Sequence, residues 1–289
     1  MSRDVFAAHR SLLFTVAYEM LGSAVDAEDV VQETWLRWAR VDHAEVRDHR
    51  AYLVRIVTRQ ALNRLRTLAR RREEYVGEWL PEPLLTAPDV GADIELVESL
   101  SLAMLTVLET LRPDERAVFV LREVFDIPYD EIAEAVGKSP ATVRQIAHRA
   151  RAHVAARRPR TRVSTGEHER ALEQFLTAIH EGDLQGLLDV LAPDVVVIAD
   201  GGGMVTAARR PIAGAERVAG VLLKGLRSLE FKVIAVSLNG APACRFDATG
   251  DRRAAVSIAV ADGRIERIYI IANPNKLSSI TEITEVTRT

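Results

Sequence analysis

The residues best equipped for chemistry lie near the middle of the chain, where Arg144, Gln145, His148, Arg149 and Arg151 follow one another at short intervals. Arginine can pair in two-pronged fashion with guanine and glutamine with adenine, while other cations suit backbone phosphates. Arg144 and Gln145 are therefore candidate base readers, and Arg149, Arg151 and Arg157 candidate phosphate contacts. Such a row works only if a helix holds it. Residues 129–136 read as a short helix, Gly137 and Lys138 as a tight turn, and Ser139 and Pro140 as a cap followed by a first-turn proline. The second helix can run to about Ala156. Val143, Ile146, Ala147, Ala150 and Val154 share one face, which leaves Thr142, Arg144, Gln145, His148, Arg149 and Arg151 outward. A merely solvated basic helix is the bland alternative, but cap, turn glycine, apolar spacing and basic surface agree with a helix-turn-helix DNA reader.

The net charge of −3 does not suggest a nucleic-acid binder, yet the average hides clustering. Arg64, Arg66, Arg70, Arg71 and Arg72 form one basic run, and residues 144–162 carry another, which suggests two separated contacts with a polyanion. Asp26, Glu28, Asp29 and Glu33 instead crowd the start of a helix that Asp26 is placed to cap, favourable with the helix dipole and suited to a basic partner. Trp35 and Trp38 are three apart on that helix and are assigned to packing.

Several function classes drop out. The chain starts without a basic leader and apolar stretch, and no apolar run approaches a bilayer span, so a cytoplasmic location and no membrane partner are expected. Cys244 is the single cysteine and reads as structural. No nucleophile elbow, phosphate loop or metal-ligand spacing appears, so no catalytic residue, metal or cofactor is expected and the protein is not read as an enzyme.

The 289 residues divide by pattern. Residues 1–75 read as three or four helices, with Gly22 closing the first and a long helix starting near His49. Residues 76–93, with Trp79, Leu80, Pro81, Glu82 and Pro83, oppose regular structure and form a linker too apolar to be a bare tether. Residues 94–160 are again helical, with Pro113 opening one segment. From 167 to 289 the class changes. Two helices are followed by β-rich stretches from Val195, with turn signals at Asn239-Gly240 and Asp262-Gly263 and one interrupting helix near 215–226. The fold class is multi-domain, two all-α units plus an α+β unit with helices on a curved, mostly antiparallel sheet.

Residues 129–133, 139–144 and 149–151 resemble region four of extracytoplasmic-function sigma factors, which reads the upstream promoter element. The stretch from Asp26 through Gln32 and Glu33 to Trp35 resembles region two, whose matching residues dock on the clamp helices of the largest polymerase subunit. The resemblance thus implies Asp26, Glu28, Asp29, Gln32 and Glu33 as contacts to core RNA polymerase. It implies Asn63, Arg64 and Arg66 for the downstream promoter element, and Ser139, Thr142, Arg144, Gln145, His148, Arg149 and Arg151 for the upstream one. It covers roughly residues 3–158.

The remainder resembles a SnoaL-like domain, an α+β cone with a pocket in which Asp200, Asp194 or His180 are candidates for acid-base chemistry. One subgroup of these sigma factors, the J type, carries such an extension. Its marks are the linker motif of Trp79, Leu80, Pro81, Glu82 and Pro83, an aspartate before three glycines (Asp200, Gly201, Gly202, Gly203), and the element Asn273, Pro274, Asn275, Lys276, Leu277. Two positions depart from that pattern, Met204 where lysine is expected and Asn275 where aspartate is expected, which weakens a salt bridge. The resemblance implies that the glycine run meets the linker and that the C-terminal domain regulates in cis. Expected partners are core polymerase and promoter DNA, with a small-molecule ligand for the pocket as a candidate, and the free protein is expected to be a monomer. Two other readings stay open. A one-component regulator would bind an operator without polymerase, and a pocket enzyme tethered to DNA would need turnover that Asp200→Ala abolishes.

Overall fold

The protein is described here by a computed structural model covering residues 2–72, 75–87, 94–157, 163–226, 230–249 and 252–288. The chain forms two compact units, residues 1–74, 92–158 and 284–289 in the first and residues 75–91 and 159–283 in the second. Among the described residues no helix is long and apolar enough to cross a membrane.

In the first unit α1 (Ser2–Leu21) ends at Gly22, whose φ of +67° is left-handed and whose N–H reaches the Tyr18 carbonyl at 2.7 Å. α2 (Ala24–Trp38) follows at once, and its cap is Ser23, whose Oγ accepts from the Asp26 N–H at 3.1 Å. This corrects the expectation for Asp26. It lies inside the first turn, which frees its carboxylate for another helix. Trp38 is fully buried against His43, His49 and Tyr52, and the half-buried Trp35 meets Phe6 edge-on at 5.1 Å. α3 (His49–Arg72) completes the first bundle.

Then come α4 (Ile94–Leu100), α5 (Leu102–Leu108), α6 (Pro113–Phe119), a π-helical turn over Val120–Val124, α7 (Tyr129–Val136) and α8 (Pro140–Ala155). A buried polar cluster joins α1 to this part. Arg116 donates from Nε to the Glu19 carbonyl at 2.9 Å and from Nη1 to Glu109 at 2.7 Å, while Ser99 donates to the Glu19 carboxyl at 2.7 Å. Residues 284–288 also lie here, the Thr287 N–H donating to Thr15 Oγ1 at 3.0 Å.

The second unit opens with α9 (Thr165–Glu181), two residues before the position expected, because Ser164 and Glu167 form a reciprocal capping box. After α10 (Leu184–Val190), β1 (Leu191–Asp200), β2 (Ile212–Ala213), α11 (Ala215–Leu226), β3 (Phe231–Leu238), β4 (Ala241–Ala248), β5 (Arg252–Ala261) and β6 (Arg264–Ile271) build one sheet. Its order is β2-β1-β6-β5-β4-β3, antiparallel throughout except for the parallel β1–β6 pair. β1 starts before Pro193 rather than after it. The proline has no N–H to give the ladder and falls where the pairing register shifts, between Leu191 and Val196. Asn239-Gly240 and Asp262-Gly263 turn with positive φ at both residues, the geometry tight hairpins need. Phe175, Ile179, Val197, Val218 and Ile268 centre the core between helices and sheet. Cys244 is buried there, and burial pushes its thiol up to about 12.

Candidate nucleic-acid interface and linker clasp

α7 and α8 meet at Gly137, left-handed at φ +70°, and Ser139 caps α8 by accepting from the Thr142 N–H at 3.2 Å. Val143, Ile146, Ala147, Ala150 and Val154 are all buried. Ser139, Thr142, Arg144, Gln145, His148, Arg149 and Arg151 are all exposed. The outward face is thus one basic and amide-bearing surface on a rigid helix. Arg144 lies over the Tyr129 ring at 5.6 Å, and Arg151 has Glu123 at 3.5 Å, so neighbouring elements hold both near the surface.

The residues matched to region two are largely occupied by one another. Arg64 donates from Nε to Asp26 at 2.6 Å and from Nη2 to Asp29 at 2.7 Å, a fork joining α3 to α2. The hydrogen bond to Asp26 raises the Arg64 pKa. Arg10 takes Glu28 at 2.7 Å and Gln60 donates to Glu33 at 2.9 Å. Asp29, Gln32 and Glu33 stay exposed on α2, and Val25 and Leu36 add apolar surface at helical spacing along the same helix. On α3 Asn63 is exposed, while Arg66 pairs with Asp114 at 2.9 Å, which also receives Lys138 at 3.0 Å. The side chains of Arg70, Arg71 and Arg72, and residues 158–162, lie outside the described residues. Sequence reasoning missed Arg55 and Arg59. They bind the end of α7, Arg55 through Glu134 at 2.9 Å and Arg59 through the Glu134 carbonyl at 2.7 Å.

In the second unit the linker is held by one buried carboxylate. Asp200 accepts from the Tyr75 hydroxyl at 2.5 Å and the Gly202 N–H at 3.0 Å on Oδ1, and from the Leu80 N–H at 3.0 Å and Lys276 Nζ at 2.7 Å on Oδ2. Lys276 is equally buried. It also donates to the Leu80 carbonyl at 2.5 Å and sits 3.1 Å from the Trp79 ring centre. Asn273 donates to the Tyr75 hydroxyl at 2.7 Å, and burial raises the Tyr75 pKa. Gly202 and Gly203 carry φ of +60° and +71°; a Cβ on the first would strike Asn273, and one on the second would come within 3.1 Å of Val76. Beyond Leu80, Pro81, Glu82, Pro83 and Leu84 are buried. Leu84 and Asn239 then exchange hydrogen bonds, and the Thr86 N–H reaches the Ser237 carbonyl at 3.0 Å, adding the linker to the β3–β4 hairpin. Leu277 is buried behind the clasp and Pro274 is exposed. Met204 and Asn275 face each other, Nδ2 to Sδ at 4.0 Å.

A cavity of about 940 Å³ opens beside this clasp, lined by residues such as Phe175, Phe246, Val256 and Ile268. None of the acid-base candidates faces it. Asp200 is turned to the linker, and Asp194 and His180 are exposed and absent from the lining. Among the described residues no cluster of histidine, cysteine and acid side chains could hold a metal ion.

The comparisons with known proteins follow the same division. Residues 5–71 match Sigma-70 region 2, and residues 101–154 match Sigma-70 region 4. The ECF RNA polymerase sigma factor SigJ of Mycobacterium tuberculosis is 36% identical over 296 aligned positions, 96% of this chain and 94% of the relative. The chain belongs to the ECF RNA polymerase sigma factors. As such it directs RNA polymerase to promoters. Another relative, the probable ECF sigma factor SigI of Mycobacterium tuberculosis, is 30% identical, covering 94% of this chain and 93% of that one. The crystal structure of Mycobacterium tuberculosis SigJ superposes with a TM-score of 0.77 at 32% identity, over 97% of this chain and 99% of that one. For this sigma factor the likeness therefore extends through the C-terminal SnoaL-like domain.

Proposed function

We propose that residues 3–72 bind core polymerase and open the downstream promoter element, that residues 94–158 grip the upstream element, and that the C-terminal domain controls both in cis through the linker. Asp29, Gln32 and Glu33, on the exposed face of α2, meet the clamp helices. Asn63, Arg64 and Arg66 meet the downstream element once Arg64 and Arg66 exchange their carboxylate partners for phosphate. α8 enters the major groove with Arg144 and Gln145 towards base edges. The role is non-catalytic and belongs in the cytoplasm, where polymerase and promoters are.

One observation carries the regulatory part: the segment that joins the two promoter-reading parts in sequence is gripped by Asp200 and Lys276. A linker tied down at residues 75–87 has little slack, which limits the spacings the two parts can adopt. Run-off transcription with purified core polymerase and the full chain tests this. Transcripts should depend on the added chain and vanish with Asp29→Lys and Gln32→Lys together. Asp200→Asn should change promoter output without changing core binding. Specific operator binding that is indifferent to polymerase and to the α2 substitutions would replace the sigma reading with a one-component regulator.

A further inference from the structure

The chemistry of the cavity in the second unit is one-sided. Its volume of about 940 Å³ falls at the upper end of small-molecule sites. The interior is aliphatic and aromatic, and among the described lining residues the uncharged polar side chains are Thr206, Ser278 and Thr281. Among the described lining residues the only ionisable ones are Arg252 and Arg253, both exposed at the start of β5; Arg252 shares the strand face of Ala254 and Val256, whereas Arg253 opposes Asp247 on the other face. Among the described lining residues there is no carboxylate, histidine, tyrosine or thiol to take or deliver a proton near neutral pH, so what they offer a ligand is binding rather than acid-base chemistry. A guanidinium beside an apolar interior favours one ligand chemistry, a greasy body ending in a planar anion that its fork of donors can match.

We propose that this cavity is an effector site for an apolar monocarboxylate, whose carboxylate is met by the Arg252 guanidinium at the mouth. The proposal rests on the linker clasp being a control element, because cavity and clasp share two loops. Met204 and Pro274 line the cavity and follow directly on Gly203 and Asn273, which hold the linker. Leu277 lines it next to Lys276, which carries the ion pair to Asp200. A ligand that packs on these neighbours favours the arrangement in which the linker is gripped, and the grip in turn favours the ligand.

The test is titration calorimetry on the full chain with laurate, kept below its micelle concentration, and with dodecanol as the uncharged body of equal length. Laurate should bind about tenfold or more tighter than dodecanol, as expected for a charge-assisted contact. Arg252→Ser should remove that advantage while leaving dodecanol within about twofold, and Arg253→Ser, on the other face of the strand, should keep it, since neither exposed side chain supports the core. Ala254→Trp should fill the space and abolish both; if that variant fails to fold, the contrast between the two arginine variants still decides. Laurate should also slow amide exchange at Leu80 and Leu84. Equal affinities for laurate and dodecanol, or laurate binding that ignores Arg252, would overturn the assignment, and binding without slower exchange would overturn the coupling to the clasp. Absence of heat with both probes would sink the effector site. The clasp reading would survive that result, because it is judged separately by Asp200→Asn in transcription.

Discussion

In the second unit Asp200 and Lys276 are buried together, and each oxygen of the carboxylate has donors from the linker and from its own domain. In the first unit Glu19 and Arg116 are as deeply buried, yet Glu19 Oε2 and Arg116 Nη2 make no hydrogen bond among the described residues. Glu109 already supplies the anion that Arg116 needs, at 2.7 Å. Glu19 is then the surplus carboxyl, and burial pushes it up to about 8. The difference lies in saturation. A buried charge with all its lone pairs and protons engaged acts as a fixed peg, while one left partly bare becomes sensitive to protons.

Breaking the saturated pair has the largest expected effect. Lys276→Met leaves Asp200 charged and buried, and Asp200→Leu strands the lysine, so each should destabilise the second unit by about 3–5 kcal/mol in denaturant unfolding of the full chain. The double variant should recover only part of that loss, because it removes the stranded charge but leaves the Tyr75 hydroxyl and the Leu80 and Gly202 N–H groups without their acceptor. Single variants that cost well under about 1 kcal/mol would mean that the pair is hydrated rather than buried.

The unsaturated pair should reveal itself through pH. Glu19 has a folded-state pKa raised from 4.5 to about 8, so between those values the folded chain holds a proton that the unfolded chain has lost. Its stabilising contribution is complete below the unfolded value and is lost as pH rises through the folded one. The stability of the first unit in thermal unfolding should therefore fall from about pH 5 to pH 8, by up to about 1.4 kcal/mol per pH unit, and level off above pH 8. Glu19→Gln should flatten that slope, since the amide keeps an acceptor for Ser99 without titrating. An unchanged slope in the variant would reassign the pH dependence to another group.

The same contrast explains what could be read from the chain. The helix-turn-helix was legible because cap, turn glycine, first-turn proline and apolar spacing are neighbours in sequence, and the hairpins at Asn239 and Asp262 announce themselves in two residues each. Helix starts were less so: Ser23 caps α2 in place of Asp26, because a hydroxyl before the helix and a carboxylate inside it look alike until the first turn is placed. The linker motif showed Trp79 and its neighbours but not Tyr75, whose partner Asp200 is 125 positions away. Glu19, Ser99 and Arg116 gave no local sign. Their roles come from packing α1 against later helices, which no window of sequence contains.

Partial exposure gives the next smaller effect. Arg66 is half exposed and shares Asp114 with Lys138, so Asp114→Asn releases two cations at little cost to folding. Promoter fragments should bind the variant up to about fivefold more tightly at low salt, the equivalent of an exposed pair worth about 0.2–1 kcal/mol. The gain should shrink as salt rises. Identical affinity would mean that neither cation reaches DNA.

The smallest effect is expected at the edge of the clasp, where Met204 and Asn275 occupy the positions of an expected lysine and aspartate. Their side chains already face each other at 4.0 Å, so the pair Met204→Lys and Asn275→Asp needs no backbone movement to form an ion pair. Both positions are exposed, and the gain should therefore be about 0.2–1 kcal/mol and should fall with added salt. Each single substitution should do nothing or slightly less than nothing, because it adds a charge without its partner. A double-mutant cycle on the unfolding of the second unit measures the coupling directly. Coupling well above that range would show that water is excluded at this edge, and that the saturation seen at Asp200 and Lys276 extends outward to the loop that carries the glycines.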